Sequence, residues 1–136
     1  MVFEQAKHPL DDGTNKTKVF ADSDYAADES RRSTMGCVIM QNDGPISWFS
    51  VLDKTVALST CEAEINAAVM AAKDAIHIGR LIFDLGLKDE ESFIQIAEDN
   101  SAAIAQAASG IRAVRKAKHY EVRLRFLQEL VVQKAI

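Results

Sequence analysis

The sequence is poor in the residues that staple or anchor a chain. Its two cysteines, Cys37 and Cys61, belong to no CxxC pair and have no histidine nearby at metal-ligand spacing. That excludes a disulfide scaffold and a zinc ribbon, and leaves two buried free thiols as the expectation, in keeping with a reducing compartment. No apolar run approaches the roughly 18 residues that a membrane-crossing helix needs, so no membrane contact is expected. Residues 1–10 carry Glu4, Lys7 and His8 in place of a long apolar stretch, which excludes a secretory signal and points to an intracellular protein of the cytoplasm or nucleus. Cations are not in excess either. Sixteen Lys and Arg stand against 20 Asp and Glu, a formal charge of −4, and that balance taken alone weighs against a nucleic-acid partner. Internal repeats and low-complexity tracts are also lacking.

What is present suffices for one folded domain. Of 136 residues, 48% are apolar and 26% charged, enough of each for a core and a solvated surface. Residues 1–16, with the turn-rich Asp11-Asp12-Gly13-Thr14-Asn15, read as a leader or linker, and 17–136 as the domain. Lys18 to Ala21 forms a short strand running into Asp22-Ser23-Asp24. Met35 to Gln41 forms a second, and Asn42-Asp43-Gly44 signals a hairpin turn into a third, Ile46 to Phe49, continued toward Val56. Trp48 alternates within that strand and is expected in the core, although an exposed tryptophan there would suit base stacking.

Ser59, with Glu62 three residues on, forms a capping box for a long helix. Ile65, Val69, Ala72, Ile76, Gly79 and Phe83 recur at helical spacing, and Gly86 is a plausible terminator. Phe93 to Ala97 is a fourth strand, Asn100 caps a second helix over 101–108, and Tyr120, Leu124, Leu127 and Val131 mark a last amphipathic helix. The order β-β-β-α-β-α-α implies an α/β fold: three antiparallel strands, a crossover helix, and a fourth strand parallel to its neighbour. If that fourth strand lies at an open edge, it can pair with another chain and make a homodimer.

Three acids stand where strands end or a helix begins: Asp22, Glu64 and Asp99. Carboxylates arriving from three separate elements can share a hard divalent cation, although the same positions suit ordinary turns and caps. Cations cluster once. Arg112, Arg115, Lys116, Lys118, Arg123 and Arg125, with His119, face a single acid, Glu121, and can follow a phosphate backbone on a chain that is acidic overall.

Six blocks carry a resemblance. They are Ala21-Asp22-Ser23-Asp24-Tyr25-Ala26, Arg31-Arg32-Ser33-Thr34, Gly44-Pro45-Ile46-Ser47-Trp48, Ala57-Leu58-Ser59-Thr60-Cys61-Glu62-Ala63-Glu64, Glu98-Asp99-Asn100-Ser101-Ala102-Ala103-Ile104 and Lys118-His119-Tyr120-Glu121-Val122-Arg123. In this order the chain resembles the ribonuclease H domain of copia-type LTR retrotransposon Pol polyproteins over roughly residues 17–132. The resemblance implies a ribonuclease H-like mixed sheet flanked by helices. It also implies hydrolysis of the RNA strand of RNA–DNA hybrids with two Mg2+ or Mn2+ ions, and an attached reverse transcriptase as partner. Asp22, Glu64 and Asp99 match the family's metal-binding and catalytic carboxylates, which would repel one another without metal. Arg31, Arg32, Asn100, Arg112, Arg115, Lys116, Lys118 and His119 are this chain's own candidates for contact with nucleic acid. The chain departs from the family in three respects. The fifth strand and last helix have no counterpart before Ile136, no residue matches the fourth carboxylate, and Glu98 stands where a small residue or cysteine is common. A competing reading follows from them: a weak or inactive module that binds nucleic acid or a protein.

Overall fold

The computed structural model describes residues 17–86, 95–109 and 118–133. Its elements are β1 (Thr17–Asp24), β2 (Thr34–Gln41), β3 (Gly44–Leu52), α1 (Thr60–Asp84), β4 (Gln95–Ala97), α2 (Ser101–Ala108) and α3 (Lys118–Val132). The strands form one sheet in the order β3-β2-β1-β4. β1 pairs antiparallel with β2 and parallel with β4, and β2 pairs antiparallel with β3. This is the mixed α/β architecture expected from the element order.

Local chemistry explains most boundaries. Asn42 and Asp43 both take positive φ, 49° and 63°, as the two central residues of a primed hairpin turn require. The third strand stops at Leu52, short of Val56. Asp53 turns the chain there: its Oδ1 accepts from the Thr55 amide at 3.0 Å and from the Thr55 hydroxyl at 3.1 Å. At the start of α1, Ser59 Oγ accepts from the Glu62 amide at 3.1 Å, while Glu62 Oε2 reaches back to the Leu58 amide at 2.9 Å. The capping box therefore forms, shifted by one residue on its return bond. Gly86 at φ 67° closes the other end, donating to the Phe83 carbonyl at 2.9 Å.

The core lies on one side of the sheet. Val19, Ala21, Cys37 and Ile39 point toward Ala71 and Ala75 of α1, and Phe49 packs against the same group. Alanines along α1 let the helix approach the strands closely, and each fully buried Val or Ile side chain contributes about 1.5–3 kcal/mol. A second cluster joins Ile65, Ala68, Val69 and Ala72 of α1 to Ala103, Tyr120, Leu124, Leu127 and Leu130.

Three sequence expectations fail here. Trp48 is 70% exposed because Phe49 takes the inward parity of β3. Phe83 is exposed, the inward position in the last turn of α1 going to Ile82. Cys37 is buried as expected, but Cys61 is only half-buried, with its Sγ accepting from Gln106 Nε2 at 3.0 Å.

Candidate metal centre

The register of β1 against β4 pairs Val19 with Ile96 and Phe20 with Ala97. Carried two residues further, it sets Asp22 beside Asp99 at the ends of adjacent parallel strands, where open α/β sheets gather functional groups. Glu64 arrives from the second turn of α1, the helix packed on β1. One carboxylate oxygen from each of Asp22, Glu64 and Asp99 lies within 4.8 Å of the other two. Asp22 and Asp99 are exposed, whereas Glu64 is buried.

Burial pushes the Glu64 carboxyl above its ordinary range. The Ser23 hydroxyl pulls it partly back, and the charges of Asp22 and Asp99 add to the upward push. Ser23 Oγ and Glu64 Oε2 lie close enough to interact but form no hydrogen bond of good geometry, so burial outweighs the pull from Ser23. A carboxylate oxygen that is out of water, without a donor, and faced by two further acids is costly to keep ionised. A divalent cation relieves all three penalties, and an all-oxygen donor set suits Mg2+ or Mn2+. The three residues therefore fit such an ion.

Glu98, beside the cluster, is a fourth acid. Its Oε1 accepts from the Asn100 amide at 3.0 Å, while Oε2 is buried without a partner. Burial raises its pKa from 4.5 to about 7, with Glu64, Asp99 and Asp22 adding to the push. The sequence flagged Glu98 only as an unusual residue, since burial of a strand-end acid has no signature of its own.

The remaining site candidates are spread wider. Arg31 and Arg32 are exposed on the loop between β1 and β2, just past the strand end that carries Asp22, with Arg31 at φ 58°. Asn100 is the N-cap of α2. Its Oδ1 accepts from the Ala102 and Ala103 amides, both at 3.0 Å, which leaves its amide group for any other contact. Lys118 and His119 begin α3, with their side chains outside the described residues, and Arg112, Arg115 and Lys116 lie outside them altogether. Asp24 and His77 are exposed.

A buried polar relay was missed from the sequence. Asn66 Nδ2 donates to Asp53 Oδ2 at 2.7 Å, and Arg123 Nη1 donates to Asn66 Oδ1 at 2.6 Å. An asparagine inside the apolar run of α1 was the available signal.

No family model matches the chain. Among solved structures, LC11 ribonuclease H1 from a compost metagenome superposes with a TM-score of 0.62 at 17% identity, over 89% of this chain and 81% of that one. The N-terminal ribonuclease H domain of a Mycobacterium tuberculosis protein gives a TM-score of 0.57 at 13% identity, covering 85% and 76%. Ribonuclease H1 of Halobacterium salinarum gives 0.53 at 15%, covering 84% and 77%. The chain has a ribonuclease H-like fold. In sequence it is 36% identical over 115 residues, 84% of its length, to the retrovirus-related Pol polyprotein of transposon TNT 1-94 from Nicotiana tabacum. It also matches secreted RxLR effector protein 161 of Plasmopara viticola, 45% identical over 65 residues. The chain spans 8% of the tobacco polyprotein and 46% of the effector. It is a ribonuclease H-like domain of the retrotransposon Pol kind.

Proposed function

We propose that this domain is a divalent-metal-dependent endonuclease that hydrolyses the RNA strand of an RNA–DNA hybrid, in company with a reverse transcriptase. The observation that carries this reading is the convergence of Asp22, Glu64 and Asp99 from β1, α1 and the end of β4. Two bound ions would supply charge neutralisation at the attacking and leaving oxygens of a phosphodiester displacement.

The protein's own groups divide the remaining work. Asp22 and Asp99, open to solvent, present carboxylate oxygens on the side a duplex can reach. Glu64 comes from the buried face of α1, and its partnerless Oε2 is free to take up a metal ion as ligand. Arg31 and Arg32, on the loop beyond Asp22, supply positive charge to the substrate backbone. A hybrid suits such a site because it is recognised through backbone shape and 2′-hydroxyls rather than base sequence. Arg112, Arg115, Lys116, Lys118 and His119 extend this contact in the same reading.

The test is cleavage of an end-labelled RNA–DNA hybrid in Mg2+ or Mn2+ by the wild-type chain, Asp22→Asn and Asp99→Asn. Cleavage by the wild type alone is expected. A folded wild-type protein that leaves the hybrid intact in both metals would refute the enzyme and leave a binding module in its place.

A further inference from the structure

Two of the three clustered acids are held by secondary structure and one is not. Asp22 lies inside β1 and pairs in register with Gly36 of β2. Glu64 is on the buried face of α1. Asp99 belongs to neither a strand nor a helix. β4 and its pairing with β1 both end at Ala97, and α2 begins at Ser101 with Asn100 as its cap. A ligand on so short a connection loses affinity unless its backbone is fixed, because only the chains in the ligating conformation bind the ion.

Glu98 supplies a fixing bond. Its Oε1 accepts from the Asn100 amide at 3.0 Å, and this link from one residue to the second after it closes a ring around Asp99. Asn100 is in turn locked to α2. Its Oδ1 accepts from the Ala102 and Ala103 amides and its carbonyl from the Ile104 amide, each at 3.0 Å. The Glu98 side chain is itself confined: it lines the same hollow as Ile65, Ala103 and Ile104, and its Oε2 is buried without a hydrogen-bond partner. Keeping a carboxyl group out of water is costly. What the position gains is one immobile acceptor beside Asp99.

We propose that Glu98 is a positioning residue for Asp99, its Oε1 holding the Asn100 amide so that the Asp99 carboxylate stays turned toward Asp22 and Glu64. The proposal rests on the reading of those three acids as a divalent-metal site. Glu98 is not a fourth ligand in it: the acids whose oxygens lie within 4.8 Å of one another are Asp22, Glu64 and Asp99. It acts through the backbone of the next two residues. Groups that orient a ligand without touching the ion change metal affinity by about 10–100-fold when removed.

Two other roles for an acid at this position predict different behaviour. An acid just before α2 would favour the helix dipole and affect stability alone. A further negative charge near the cluster would attract a cation through space, whatever bond Oε1 makes. Two uncharged replacements of similar length separate these roles from positioning. Glu98→Gln keeps an oxygen acceptor. Glu98→Met fills the same apolar hollow, which preserves the fold, but offers only a weakly accepting thioether.

The experiment is calorimetric titration of the full chain with Mn2+, for the wild type and both variants, with amide hydrogen exchange at Asn100 followed by NMR in EDTA. Glu98→Met is expected to bind Mn2+ about tenfold more weakly than Glu98→Gln. Its Asn100 amide is expected to exchange at least several-fold faster, while that of Glu98→Gln stays protected as in the wild type. Equal Mn2+ affinity in the two variants overturns the proposal. If both are then weaker than the wild type, Glu98 acts by charge; if both match it, Glu98 serves the helix alone. Equal exchange at Asn100 in the two variants also overturns it, because the ring around Asp99 is then not what holds the backbone. A folded wild-type chain that takes up no Mn2+ removes the metal reading and this proposal with it. That result is told apart from the others because they leave Mn2+ binding by the wild type intact.

Discussion

Arg123 of α3 donates through Nη1 to Oδ1 of Asn66, a residue in the buried run of α1, at 2.6 Å. Asn66 passes the contact on to the 3%-exposed Asp53 at the end of β3, and so fixes α3, α1 and the sheet to one another. Asp53 in turn donates its amide to the Ser33 carbonyl at 2.8 Å, which ties in the start of β2.

Truncating Asn66 leaves a buried carboxylate and a guanidinium without their shared partner. The Asn66→Ala protein is expected to lose about 2–3 kcal/mol of stability. Urea denaturation with an unchanged m-value checks this; a loss under about 0.5 kcal/mol would show that water replaces the amide.

Removing one acid from the metal cluster acts oppositely with and without metal. In EDTA, Asp22→Asn is expected to melt at or above the wild-type temperature, because Glu64 is relieved of a neighbouring charge. Millimolar Mn2+ is expected to raise the wild-type melting temperature by several degrees and that of Asp22→Asn by far less. Differential scanning calorimetry in the two buffers measures both. Equal Mn2+ shifts in the two proteins would place the ion elsewhere.

Glu98 gives a pH dependence of defined sign. Its folded-state pKa, about 7, lies above the ordinary 4.5. The protonated form is thus favoured by folding, and that stabilisation is full in acid and lost as pH rises from about 4.5 to 7. Glu98→Gln is expected to match the wild type near pH 4.5 and exceed it by about 1–2 kcal/mol at pH 8, allowing for screening of a half-buried group. Melting curves in EDTA across that range are the check, and a difference independent of pH would exclude titration as its cause.

Asn100 separates a structural role from a binding role. Asn100→Ala is expected to cost about 1 kcal/mol through loss of the α2 cap, and Asn100→Ser, which caps without adding charge, to recover most of it. If hybrid affinity falls in Asn100→Ser while stability is kept, the side-chain amide contributes to binding. Equal affinity would confine the residue to capping.

Tyr120 and Gln106 join α3 to α2 through a 2.6 Å bond from the phenol to Oε1. Burial and the neighbouring Cys61 push the phenol well above its ordinary range, so it stays a donor at every working pH. Tyr120→Phe leaves Gln106 Oε1 short of a donor and is expected to cost about 1–2 kcal/mol by urea denaturation. An unchanged midpoint would show that the amide finds another donor.

Local rules in the sequence determined a good deal. The Asn42-Asp43 turn, the Ser59 and Asn100 caps and the Gly86 stop follow from single-residue chemistry that needs no distant partner, and they appear as expected. The element order and the mixed sheet follow too, since a helix between the third and fourth strands demands a crossover. The three acids were legible because each stands at an element end. Tertiary structure decided what depends on residues far apart in the chain. Strand parity says that Trp48 and Phe49 face opposite ways, but only the docking of α1 chose Phe49 for the core. Asn66, Asp53 and Arg123 come from three elements, and nothing local announces that they meet. Desolvation of Glu64 and Glu98 likewise arises from the packing of α1 and α2 over the sheet, a property of the assembled volume and not of any stretch of chain.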